Sequence, residues 1–246
     1  MKKITLNKNW IDKIDADEGK NEPIRGSYFI GALFAGTLYF NHCFWIVRVQ
    51  VACGRQRLEA FEILSDMPTE VKWLLARNKD EMSQYQTLFV DCIDYGYGIS
   101  ELTNNTGIDQ YSQKLAKSAD QQLRSCVTLL LEATPNPKSV ESAQMAAEMF
   151  LKCFISLKIG LTEKQAKKIG HDLDIALNKC LIIEPSSELN LVRSKLNCFP
   201  SINDRYEGIE RPKREMWNAY RVTQFIASSF VRHFTDRDTQ NSLFTR

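Results

Sequence analysis

Histidine is scarce in this chain: His42, His171 and His233 are the only three among 246 residues. The seven cysteines (43, 53, 92, 126, 153, 180 and 198) stand far apart and include no C-x-x-C pair. Without thiols at ligand spacing and with so few imidazoles, the pattern argues against a zinc site, and no metal or cofactor is expected. Isolated cysteines fit reduced, mostly buried thiols better than a disulfide framework. Gly96-Tyr97-Gly98 is the nearest approach to a phosphate-cradling loop, but it is too short and lacks the glycines and lysine such loops need. The most apolar window, Tyr28 to Val51, is broken by Asn41, His42 and Arg48, so it does not read as a membrane span. The first twenty residues, MKKITLNKNWIDKIDADEGK, lack the apolar run of a signal peptide. Location in the cytoplasm is the expectation. Lysine and arginine number 32 against 30 acidic residues, which excludes a uniformly basic nucleic-acid binder but leaves room for a local basic patch. Internal repeats and low-complexity segments are also missing.

What remains is ordinary globular material, with 43% apolar and 25% charged residues and enough length for one large domain or two small ones. Residues 1–26 are polar and carry Gly19, Pro23 and Gly26, which suggests an arm. Residues 28–64 are aromatic and β-branched, interrupted at Ala35-Gly36, Asn41-His42 and Gly54. In Trp45–Val51 the apolar Trp45, Val47, Val49 and Val51 alternate with Arg48 and Gln50. Three or four short antiparallel strands follow from this, with a buried helix over Phe29–Phe40 as the competing reading.

Residues 69–133 turn helical. Thr69 and Asp80 stand where caps would open two helices, the second ending at Tyr95-Gly96-Tyr97-Gly98, and Asp109 would cap a long third. Pro135 and Pro137 punctuate the chain sharply and suggest a domain boundary, giving units of 1–135 and 136–246. Beyond it, Ser139 would cap a helix with Ala143, Ala147, Phe150, Leu151 and Phe154 inside and a Glu148–Lys152 pair outside. Gly160 ends that helix, and Thr162-x-x-Gln165 spells a capping box. After Gly170, Leu173, Ala176, Leu177, Cys180 and Leu181 form an apolar stripe beside a polar face of His171, Asp174 and Asn178. A further helix after Ser187 would bury Leu189, Val192 and Leu196. Pro212 suits the first turn of a last one, before a polar tail that frays after Thr235. The fold class expected is therefore α+β, mostly α: a small antiparallel β meander with helices, then a helical bundle.

Three short motifs in the second half, Glu148-x-x-Leu151-Lys152, Lys168-x-Gly170-His171-Asp172-Leu173 and Asn203-Asp204-Arg205-Tyr206 ahead of the final helix, resemble those of the HEPN family. The likeness spans about residues 139–234. It implies an antiparallel helical bundle that is often a homodimer and takes a nucleotide, RNA or a cognate protein as partner. Many family members are metal-independent ribonucleases of toxin–antitoxin and other bacterial defence systems; others bind without cutting. The ribonucleases carry an Arg about a helical turn before a His. Here Lys168, Lys167 and Lys164 precede His171, and no His has the expected Arg. A binding protein is thus the first expectation, and a divergent ribonuclease using His171 the alternative.

The candidate catalytic pair is His171 with Asp174, since a neighbouring carboxylate would orient the imidazole as a general base. Candidate binding residues are Lys164, Lys167 and Lys168, read as a basic cluster at a helix start, with Asn178, Arg205, Tyr206 and Arg211 for phosphate contact and base stacking. His42 beside Cys43 makes a poor nucleophile–base pair, because neighbours in a strand face opposite ways. Arg232 and His233 read as a charged helix end. Trp10, Trp45, Trp73 and Trp217 read as core or interface anchors.

Overall fold

A computed structural model describes residues 4–5, 28–53, 57–58, 60–201 and 210–239. A short strand β1 (Ile4–Thr5) pairs antiparallel with β4 (Arg57–Leu58), so two residues of the expected arm join a strand pair. Between them β2 (Tyr28–Phe40) and β3 (Cys43–Cys53) form one long hairpin. The helices are α1 (Thr69–Arg77), α2 (Lys79–Thr103), α3 (Gln110–Leu130), α4 (Ser139–Ile159), α5 (Glu163–Ile169), α6 (Leu173–Ile183) and α7 (Lys213–Phe234). A 3-10 segment, Glu188–Cys198, lies between α6 and α7. The chain is thus mostly α with a small antiparallel sheet at its N-terminal end, as its composition implied.

The hairpin replaces the three or four short strands expected. Asn41 and His42 both have positive φ, the signature of a two-residue turn whose twist matches its strands, so β2 and β3 continue unbroken on either side. The alternation holds: Val47 and Val49 are buried, and Arg48 on the other face approaches Asp66 at 3.9 Å. Gly36 and Gly96 let this hairpin lie close on the helices. A Cβ on Gly36 would meet Cys92 Sγ at 2.6 Å and the Tyr220 hydroxyl at 2.7 Å.

Helix α2 runs straight through Gly96 and Gly98, which had been read as its end. Both serve contact, not termination: a Cβ on Gly96 would sit 3.1 Å from Phe34, and one on Gly98 would sit 2.1 Å from Val231 of α7. The cap is Asn78, whose side chain accepts from the Glu81 N–H; Asp80 lies inside the first turn. Likewise Pro68 and Lys138 precede α1 and α4, so Thr69 and Ser139 are their first helical residues instead of caps. Asp109 does cap α3, accepting from the N–H groups of Tyr111 and Ser112, and Thr162 with Gln165 closes the expected box.

The turn at Pro135–Pro137 joins α3 to α4, and these two helices pack on each other. Buried side chains from both sides of it form one cluster, from Phe34 and Val47 through Tyr95 and Leu123 to Phe150 and Phe230. The prolines therefore reverse the chain inside a single core. Ala143, Ala146 and Ala147 let neighbouring helices approach α4, which is buried on almost every side. Helix α7 closes the core against α2 and α4, with Met216, Tyr220, Thr223, Ala227 and Phe230 inward as expected. Trp217 is buried and Trp45 half-buried, whereas Trp73 is exposed; Trp10 lies outside the described residues. Residues after Thr235 do not fray at once: Thr239 N–H donates to Asp94, and Arg237 pairs with Glu101. No helix among the described residues is long and apolar enough to cross a membrane.

Candidate functional site

Helix α4 is buried on most sides, and its charged residues at the (i, i+4) positions Glu148 and Lys152 fall on a buried side. Lys152 Nζ donates to Glu148 Oε1 at 2.7 Å, with side-chain exposures of 9% and 8%. The pair was expected outside; it is buried, and the same carboxylate meets a third side chain. That side chain is His171, whose Nδ1 is 3.1 and 3.0 Å from the two Glu148 oxygens. A carboxylate only accepts, so Nδ1 carries the hydrogen and donates it. The imidazole itself is 62% exposed.

His171 precedes α6. Gly170 (φ 69°) ends α5 and turns the chain back, and Asp172 caps α6 by accepting from the Ile175 N–H. This geometry carries the imidazole away from Asp174, one turn further on and exposed, and toward Glu148 on α4. The carboxylate that meets the imidazole is therefore Glu148 and not Asp174. Asp174 contributes only to the wall of the groove in front of the imidazole, which has a volume of about 540 Å³. Arg193, Asn197 and Phe199 of the 3-10 segment and its end form the opposite wall. Gln144, one turn before Glu148 on α4, closes the end and donates to the Pro200 carbonyl at 3.2 Å.

The other expected binding residues scatter. Lys164, Lys167 and Lys168 are exposed on α5, a seven-residue helix whose N-terminus is closed by its own capping box. They do not stand at the start of the His171 helix, and none of them lines the groove; Lys167 pairs with Glu163 at 3.0 Å. Asn178 is exposed further along α6, and Arg211 is half-buried just ahead of α7. Arg205 and Tyr206 lie outside the described residues. Glu148, Gln144 and Arg193 were missed. The sequence signal for Glu148 was slight: it stands between Ala147 and Met149 in a helix rich in apolar residues, one turn before Lys152.

The end of α7 also differs from expectation. Arg232 is 5% exposed and its guanidinium binds Asp91 (2.9 Å), Asp94 (3.2 Å) and Glu188 (2.8 Å). It is the hub of a buried ion cluster joining α2, α7 and the 3-10 segment. Burial pushes the Asp91 carboxyl up to about 6, with Arg232 opposing and Asp94 adding to the rise. For Arg232 burial opposes the charged form, yet the surrounding carboxylates outweigh it and raise its pKa. Both pKa values rise, for opposite reasons: burial disfavours the charged Asp91, whereas three carboxylates favour the charged Arg232. His233 stacks on Phe154 at 4.9 Å, and burial lowers its pKa.

Among the described residues no group of three or more His, Cys, Asp or Glu side chains is arranged to hold a metal. Compared with family models, curated proteins and solved structures, the chain finds no match. Its function has to be argued from the groove itself.

Proposed function

We propose that the protein is a non-catalytic binding module of HEPN-like character, and that its ligand is a nucleotide or a short run of RNA held in the His171 groove. The observation that carries this reading is the exposed imidazole fixed by a buried carboxylate at the lip of a concave site. Holding a rotatable side chain in place before the ligand arrives lowers the ordering cost of binding. The other walls supply complementary chemistry: Arg193 for phosphate, Phe199 for the face of a base, Asn197 for its edge. Titration calorimetry with AMP, ATP and a single-stranded RNA oligomer tests it. Binding of at least one, weakened tenfold or more by either His171→Ala or Arg193→Ala, is expected. Absence of heat with all three overturns the reading.

One observation favours the alternative, a ribonuclease: with Nδ1–H held by Glu148, a neutral imidazole has Nε2 to take a proton, as a general base must. Against it, Lys152 is already committed to Glu148, and the Arg of the ribonuclease pattern is missing before His171. RNA recovered intact from the calorimeter cell is the expected result. Cleavage that disappears in His171→Ala selects the ribonuclease instead.

A further inference from the structure

A second groove lies on the other side of the 3-10 segment, which serves as a wall for both: Ser194 and Asn197 line each. This groove, about 590 Å³ in volume, is bounded by one face of α2 and one face of α7. Its floor is apolar, with Leu88, Val222 and Phe225. Two charged side chains enter it from opposite helices, Asp91 from α2 and Arg221 from α7.

Each of these two has partners within the fold and also lines the groove: Asp91 is hydrogen-bonded by Arg232 and Ser228, and Arg221 donates to Gln84. Arg221 is half-buried, its guanidinium lies over the Trp217 ring at 5.6 Å, and its hydrogen-bond acceptor is the neutral side-chain oxygen of Gln84. Among the described residues no carboxylate comes within ion-pair distance of it. Asp91 belongs to a cluster in which three carboxylates share the single guanidinium of Arg232. Asp91 and Arg221 do not pair with each other either. Partly desolvated charges are costly to leave uncompensated. A ligand bearing both charges, its cation toward Asp91 and its anion toward Arg221, is complementary to the two charged groups of the lining. Its remaining body meets the apolar floor. A groove of this size matches a small molecule and is far too narrow for a protein surface.

We propose that the groove between α2 and α7 binds a small zwitterion with an apolar body, of the free α-amino acid class: the ammonium group on Asp91, the carboxylate on Arg221, and the side chain over Leu88, Val222 and Phe225. Lys195 at the rim adds a second cation beside the carboxylate. The site is independent of the His171 groove, so either proposal can fail alone.

The test is calorimetry of the full chain against the common amino acids, followed by two truncated analogues of the best binder, one lacking the amino group and one lacking the carboxylate. The expected result is saturable binding of an apolar amino acid, weakened at least tenfold in each analogue, and a loss of the same size in Arg221→Gln. The analogues decide the matter even if the variant folds poorly, because they are tested on the unaltered protein. No binding by any amino acid overturns the proposal. So does an analogue that binds as tightly as its parent, since one of the two charged contacts is then idle.

Discussion

Glu148 Oε2 lies 3.0 Å from Nδ1 of His171, although 23 residues separate the two and one is buried while the other faces solvent. A single carboxylate thus joins an interior lysine to a surface imidazole. Each prediction below isolates one such relationship.

Removing only one partner of a buried ion pair strands the other's charge, and typically costs about 3–5 kcal/mol, whereas an apolar replacement of both is often neutral. Lys152→Met should therefore lower stability by about that amount, and adding Glu148→Leu should restore most of it. Urea unfolding of the two variants checks this. A double variant no better than the single one would show that the pair is not the cause.

Asp91 carries a raised pKa in the folded state, from 3.8 to about 6, because burial disfavours its charged form. A group raised in this way binds its proton more tightly when folded. Its stabilising share is complete below the unfolded value near pH 4 and is lost as pH climbs through about 6. A shift of this size corresponds to about 3 kcal/mol. Asp91→Asn has no such titration, so its stability relative to the parent should improve as pH rises from 4 to 7. A constant difference across that window would contradict the origin given for the shift.

Gly98 trades two effects of known size. Alanine in a helix interior gains about 0.5–1 kcal/mol over glycine. Here its Cβ would fall 2.1 Å from Val231 Cγ1, and forcing an extra carbon into a filled core costs about 1–3 kcal/mol. The clash wins, and Gly98→Ala should unfold at lower temperature. Pairing it with Val231→Ala should recover part of the loss, which a thermal melt can read.

Tyr220 hydroxyl accepts from the Thr37 backbone N–H at 3.2 Å and lies 3.1 Å from Gln224 Oε1, to which it donates. Phenylalanine preserves the ring but orphans a buried amide hydrogen, at a cost of about 1–3 kcal/mol. Tyr220→Phe should destabilise by that amount and speed hydrogen exchange at Thr37. Unchanged exchange there would mean the hydroxyl does not tie the hairpin to α7.

Much of the architecture was legible locally. The capping box at Thr162–Gln165, the Asp109 cap and the alternation around Val47 are short-range rules acting over four or five residues, and each appears as read. Gly96 and Gly98 were legible only as glycine. Whether a glycine breaks a helix or admits a neighbour depends on what approaches it, and Val231 comes from 133 positions away in the chain (231 minus 98). His171 shows the same division. Sequence alone determined that an imidazole would stand at the start of a helix, directly after a glycine break. Only the tertiary structure decided its partner, because the packing of α4 buries Glu148 where the turn before α6 passes. Asp174, the acid expected to orient it, faces solvent; the acid that meets it, Glu148, was set by how the helices close around one core.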